Sequence, residues 1–300
     1  MSNDMLDATP TPADVEASNQ KIDALPPLRA LVDALDMRAR KSMGQNFLFD
    51  LNLTRRIARS ALPLTGTTIE VGPGPGGLTR AILLEGAHNL IAIEKDRRAS
   101  TVLQSLITAA ADRLTLLEED ALKSPIWELG EAPRRVIANL PYNIATTLLI
   151  QWLNHASSFA SLTLMFQREV ALRITAKPGD SEFGRLSILA NWKANTEILF
   201  DVPASAFVPA PKITSSVIQI IPLPKPRFPC SQPILEEVTR HAFGQRRKML
   251  RASLKSLGGQ ALLEEAGVNP QARPQELDIA DFCTLARCLE AKREAEPIEG

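Results

Sequence analysis

Three hundred residues, 45% of them hydrophobic, are enough for one large folded domain and a smaller one, and 34 Lys/Arg against 34 Asp/Glu leave no net charge to announce a polyanionic partner. Apolar runs are short and interrupted by charges, well below the ~20 residues that a membrane-spanning helix needs. Cys230, Cys283 and Cys288 are an odd number with no C-x-x-C spacing and no His beside them, which argues against a disulfide framework and against a zinc site, so no metal is expected.

From the start of the chain, Asp4, Asp7, Asp14, Glu16 and Asp23 face only Lys21, with no apolar block. Neither a secretory signal nor an Arg-rich presequence fits, and residues 1–24 read as a disordered acidic tail of a cytoplasmic protein. Leu28, Leu31, Val32 and Leu35 predict a short amphipathic helix over 28–37; Leu53, Ile57, Ala58 and Ala61 predict a second, stopped by Pro63. Short apolar runs at 67–71, 89–94, 114–118, 135–139 and 162–167 then alternate with helical stretches at 77–85, 97–111 and 146–155. That alternation predicts an α/β fold with a mostly parallel sheet covered on both faces. A helix over 185–192 and two closely spaced extended runs, 196–202 and 216–222, predict an antiparallel end to the sheet.

The stretch Pro222 to Pro229 has four prolines in eight residues and reads as stiff, with the linker proper at 225–231. Beyond it only helical spacing remains. The predicted organisation is a main domain over 25–224, a small all-α domain over 232–292 and a tail over 293–300.

The run Glu70-Val71-Gly72-Pro73-Gly74-Pro75-Gly76-Gly77 follows the first strand and opens a helix, so the backbone turns sharply and lets a ligand come close. The spacing alone serves nicotinamide and flavin cofactors as well. Glu94 ends the second strand, where a carboxylate can accept both ribose hydroxyls of an adenosine, and Asp120 follows the third, where another can accept the adenine amino group. With Glu70 as the acid ahead of the glycines, the arrangement resembles the Rossmann-like fold of the class I S-adenosylmethionine-dependent methyltransferases.

The fourth strand runs into Asn139-Leu140-Pro141-Tyr142, and Tyr142 is the one tyrosine in the chain. An exocyclic amine such as adenine N6 is a poor nucleophile because its lone pair is delocalised into the ring. Acceptors at the Asn139 side chain and the Leu140 carbonyl would hold both N6 hydrogens and turn the lone pair toward a methyl donor. Pro141 has no N–H to compete and fixes the backbone. Tyr142 offers a flat face to a base drawn out of its stack, worth ~1–3 kcal/mol. Phe207, stiffened by Pro209 and Pro211, is the candidate second stacking face. No general base is needed before transfer, since positive charge develops only as the carbon–nitrogen bond forms.

Taken with residues 41–48, Gln167-Arg168-Glu169-Val170-Ala171 and Phe207 to Lys212, these motifs closely resemble the rRNA adenine N6,N6-dimethyltransferases over about Leu25 to Leu289. The resemblance implies S-adenosylmethionine as cofactor, with Asn46, Leu48, Gly72, Gly74, Glu94, Asp120 and Asn139 around it. The branch it resembles most implies dimethylation of two adjacent adenines in a hairpin near the 3′ end of small-subunit (16S) rRNA, in a pre-30S particle, by a monomer contributing to ribosome biogenesis. Arg240, Arg246, Arg247, Lys248, Arg251 and Lys255 fall in a stretch free of acids, several of them expected on one helix face as RNA contacts; Arg38, Arg40 and Lys41 extend the path. The rivals are a methyltransferase acting on large-subunit rRNA and an assembly factor that keeps the fold but works by binding.

Overall fold

The computed structural model describes residues 11–34, 39 and 45–295. They form two compact units, one comprising the chain through Ala171 with Glu197–Pro222, the other Leu172–Thr196 with the chain from Leu223.

The first unit begins with helices α1 (Pro12–Asp23) and α2 (Leu28–Ala34), the two-residue strand β1 (Phe47–Leu48) and α3 (Leu51–Arg59). Strands and helices then alternate: β2 (Thr67–Val71), α4 (Gly77–Leu84), β3 (Asn89–Ile93), α5 (Arg97–Ala110), β4 (Leu114–Leu117), β5 (Arg134–Asn139), α6 (Tyr142–Asn154), β6 (Ser161–Gln167) and α7 (Arg168–Thr175), of which the last crosses into the second unit. After α8 (Arg185–Lys193) come β7 (Ala194–Val202), the short β8 (Phe207–Val208) and β9 (Ser215–Pro222). Seven strands form one sheet in the order β4-β3-β2-β5-β6-β9-β7, parallel from β4 through β6 and antiparallel where β9 meets β6. Strands β2 and β6 are buried along consecutive residues, hence on both faces, as a sheet covered on both sides requires. Because β2 pairs with β3 on one side and β5 on the other, the strand order reverses there, and the crevice at the carboxyl ends of β2 and β5 is where such a sheet takes ligands.

The first correction concerns the expected acidic tail. Residues 12–23 are a helix, and only 1–10 of that segment lie outside the described residues. Thr11 accepts from the Asp14 N–H while the Asp14 carboxylate accepts from the Thr11 N–H at 2.9 Å, a capping box with Pro12 in the first turn. Ile22 is fully buried, and Ser18 donates to the Ala109 carbonyl at 3.1 Å. Arg113, itself 2% exposed, donates to Ser18 Oγ at 3.1 Å, Asn19 Oδ1 at 2.9 Å and the Ala87 carbonyl. The count of acids hid the signal: Thr-Pro-Ala-Asp starts a helix, and Val15, Ser18 and Ile22 share a face.

In the second unit follow α9 (Gln232–Gly244), α10 (Leu250–Ser253), α11 (Gly259–Glu265) and α12 (Ile279–Ala295), an all-helical arrangement as expected. Its boundary is different. Phe183 is fully buried with its ring 6.2 Å from that of Phe243, which lies 5.7 Å from Phe282, so residues 172–196 share a core with the carboxyl-terminal helices. The proline-rich stretch is docked rather than a free spacer: Leu223 N donates to Lys193 O at 2.8 Å, Arg227 N to Trp192 O at 2.9 Å, and Trp192 Nε1 to Phe228 O at 2.7 Å. Missing prolyl donors do not prevent docking when the residues between the prolines supply them.

Candidate functional site

At the switch point a cavity of about 320 Å³ opens between the glycine turn, the ends of β3 and β5, and the β1 segment. Two glycines make the turn possible. Gly76 sits in the left-handed region at φ 93°, where a Cβ would come within 2.6 Å of Leu103, and a Cβ on Gly77 would meet the Leu48 carbonyl at 2.3 Å. The β1 backbone therefore lies directly on the first turn of α4.

Of the carboxylates that line this cavity, Glu70, Glu94 and Asp120 sit in different environments. Glu70 is 1% exposed with no partner on Oε2 among the described residues; burial pushes its pKa up to about 8. Glu94 is also buried, which raises its pKa, but Oε1 accepts from Asp96 N at 2.8 Å and Oε2 from Gly74 N at 3.1 Å. Asp120 pairs with Lys95 at 2.7 Å and accepts from Leu122 N; the lysine holds its pKa down. Asp96, the N-cap of α5, is held at about 2 chiefly by Arg98.

Asn139 closes β5. Its Nδ2 donates to the Asn46 carbonyl at 3.2 Å, which fixes the amide so that Oδ1 is left as an acceptor. Leu140 is 1% exposed, and Pro141 caps α6, so no N–H competes at that position. Tyr142 begins the helix half-buried, its hydroxyl 2.6 Å from Ser215 Oγ; burial raises the phenol pKa and keeps it neutral.

The structure thus brings Asn46, Leu48, Gly72, Gly74, Glu94, Asp120, Asn139, Leu140, Pro141 and Tyr142 to one cavity. Phe207 is not there. It is 2% exposed, its backbone paired with Leu48, and it packs in the cluster that holds Phe47 and Leu48. Its ring is buried in the core with the β1 segment rather than lining the cavity. Phe47, Lys95, Glu119 and Leu122 line the cavity without having been singled out. Their positions, each within two residues of a recognised one, were the available signal.

The basic stretch of the second unit also differs from expectation. Helix α9 ends at Gly244, a poor helix former, and α10 starts only at Leu250, so Arg246, Arg247 and Lys248 occupy a turn rather than a helix face. Arg246 lies 5.9 Å over Phe243 and donates to the Ser181 carbonyl, whereas Arg247, Lys248, Arg251 and Lys255 are exposed. Arg38, Arg40 and Lys41 lie outside the described residues.

The model of the family described as ribosomal RNA adenine dimethylase matches residues 36–291. A protein of Agrobacterium fabrum named ribosomal RNA small subunit methyltransferase A is 54% identical over 274 residues, covering 89% of this chain and 99% of its own length. One of the same name from Rhodospirillum rubrum is 52% identical over 282 residues, covering 93% and 98%. Among solved structures, a dimethyladenosine transferase from Plasmodium falciparum superposes with a TM-score of 0.71 at 26% identity, covering 82% of this chain and 98% of that one. The 23S rRNA methyltransferase ErmE, at 24% identity and a TM-score of 0.63, covers 82% and 100% and shares the fold.

Proposed function

The chain belongs to the ribosomal RNA adenine dimethylase family and is an S-adenosylmethionine-dependent methyltransferase of small-subunit rRNA, and we propose that it dimethylates N6 of two adjacent adenines in a hairpin near the 3′ end of that RNA. We take it to act in the cytoplasm, as a monomer, on a pre-30S particle.

The cavity suits this cofactor on its own chemistry. Among the described residues Glu70 Oε2 is a buried acceptor for which no donor is placed, and an ammonium or sulfonium cation would complement it. Glu94 spends one lone pair of each oxygen on a backbone amide, leaving the others for a vicinal diol, and Asp120 stands ready for an adenine amino group. S-adenosylmethionine supplies an electrophilic methyl group that leaves without a phosphate pocket or a metal.

The observation that carries the reading is the fixed Asn139 amide beside that cavity. Oδ1 and the Leu140 carbonyl accept the two N6 hydrogens, so electron density stays on N6 and its lone pair is directed at the methyl donor rather than delocalised into the ring. As the carbon–nitrogen bond forms, N6 gains positive charge, and the same two oxygens are already aimed at it. Tyr142 holds the base by its face. The excess proton leaves afterwards to solvent. Mass mapping of rRNA from cells lacking the chain, with purified protein returned to small-subunit particles and to large-subunit rRNA, tests the proposal. Two adenines in the small subunit should lose and regain both methyl groups; incorporation confined to large-subunit rRNA would refute it.

A further inference from the structure

Tyr142 spends its hydroxyl inside the protein. The phenol oxygen and Ser215 Oγ share one hydrogen bond of 2.6 Å, and Ser215 is fully buried at the start of β9, in register with Gln167 of β6. The next residue is anchored as well: Ser216 donates to Asp201 Oδ1 at 2.6 Å, and Asp201 accepts from Arg168 Nε at 3.1 Å. Ser215 therefore sits on backbone that is held by the sheet on one side and by a polar chain on the other. A ring tethered at its para oxygen to such a point cannot swing freely about the Cα–Cβ bond.

We propose that Ser215 is a positioning residue that holds the Tyr142 ring in its place over the cavity, and that this matters more for the second methyl transfer than for the first. The inference rests on the reading that Tyr142 stacks on the target adenine. Before the first transfer N6 carries two hydrogens for two acceptors, Asn139 Oδ1 and the Leu140 carbonyl. After it N6 carries one hydrogen and a methyl group, so one acceptor has no donor and the base loses a polar anchor. Stacking must then hold the base in line, and a loosened ring is felt most at that step.

The test is Ser215→Ala, Tyr142→Phe, the double variant and Tyr142→Ala, each with small-subunit particles and S-adenosylmethionine, the products being read as N6-methyl and N6,N6-dimethyladenosine by nucleoside mass spectrometry. Ser215→Ala and Tyr142→Phe should each raise the mono-to-dimethyl ratio at equal conversion by about three- to tenfold, the scale of one lost hydrogen bond. The double variant should do no more than either alone, because both remove the same bond. Cofactor affinity should not change, whereas a general loss of folding would lower it in parallel. If Ser215→Ala is unstable, Tyr142→Phe still reports the ratio with the serine in place. A normal ratio in both single variants overturns the proposal, as does a loss in Tyr142→Phe alone, which would mean that the phenol acts on the substrate directly. Full dimethylation by Tyr142→Ala would instead overturn the stacking reading itself.

Discussion

At the floor of the cavity Glu70 and Glu94 are carboxylates taken out of water, at 1% and 8% exposure, whereas in the turn after α9 the ionisable groups are cations left in it. The two regions are therefore suited to recognition by different physics. Buried acceptors act over one hydrogen-bond length, in fixed directions, and salt hardly reaches them. Exposed Arg247, Lys248 and Arg251 act by charge, add roughly, and are screened within about 8 Å at physiological ionic strength. On the proposed function, the first region would set the chemical identity of the reaction and the second would supply affinity for the polyanion.

The sharpest way to break that division is at Asn139. Asn139→Ala removes an acceptor aimed at developing charge and should lower single-turnover methyl transfer by about 10²–10³-fold. RNA binding, measured by filter retention, should stay within a few-fold. Retained turnover would strip Asn139 of its role. Next in size is the basic turn. Replacing Arg246, Arg247 and Lys248 together with Ala should weaken rRNA binding and make the plot of log affinity against log salt shallower by about two, at ~0.7 per phosphate contact in single-stranded RNA. An unchanged slope would mean that this turn is not where the phosphates lie.

The sequence read the cofactor region closely because its signals are local. A glycine turn after a strand, an acid after the next strand and Asn-Leu-Pro-Tyr after the fourth each declare backbone geometry within a few residues, and β2, β3 and β5 begin and end within a residue of expectation. What stayed hidden depends on partners far along the chain. Phe207 is placed by pairing with Leu48, the proline-rich stretch by docking on Trp192, and α1 by a buried arginine ninety-odd positions away. The basic stretch failed for the opposite reason: six cations in a helical context suggested a continuous face, and Gly244 ends the helix before they can form it.

A smaller effect distinguishes the two cavity acids from the basic turn by pH. The Glu70 pKa of about 8 lies above its ordinary 4.5, so the folded chain binds that proton more tightly than the unfolded one. The corresponding stability is fully present below the unfolded value and is lost as pH rises through the folded one. The melting temperature of the ligand-free chain should accordingly fall more steeply with rising pH than that of Glu70→Gln. A cation bound against Glu70 restores the carboxylate, so S-adenosylmethionine binding somewhat below pH 8 should release a proton. Calorimetry in two buffers of different ionisation heat measures this, and Glu70→Gln should release less.

The smallest expected effect concerns α1, which belongs to neither region and tests how far the cofactor region extends. Arg80, on the helix that follows the glycine turn, donates to the Pro26, Asp23 and Leu25 carbonyls, so the end of α1 and the residues after it are tied to α4. Removing residues 1–26 exposes the surface that covers Ile22 and leaves Arg113 with its inner carbonyl partners only. Losing one fully buried isoleucine accounts for ~1.5–3 kcal/mol, a drop in melting temperature of several degrees for a unit of this size. Cofactor affinity should change less than twofold if the cavity is self-sufficient. A large loss there would show that α4 needs the clamp at Arg80 to hold its first turn against Leu48, and that the region of short-range, desolvated recognition reaches back to α1.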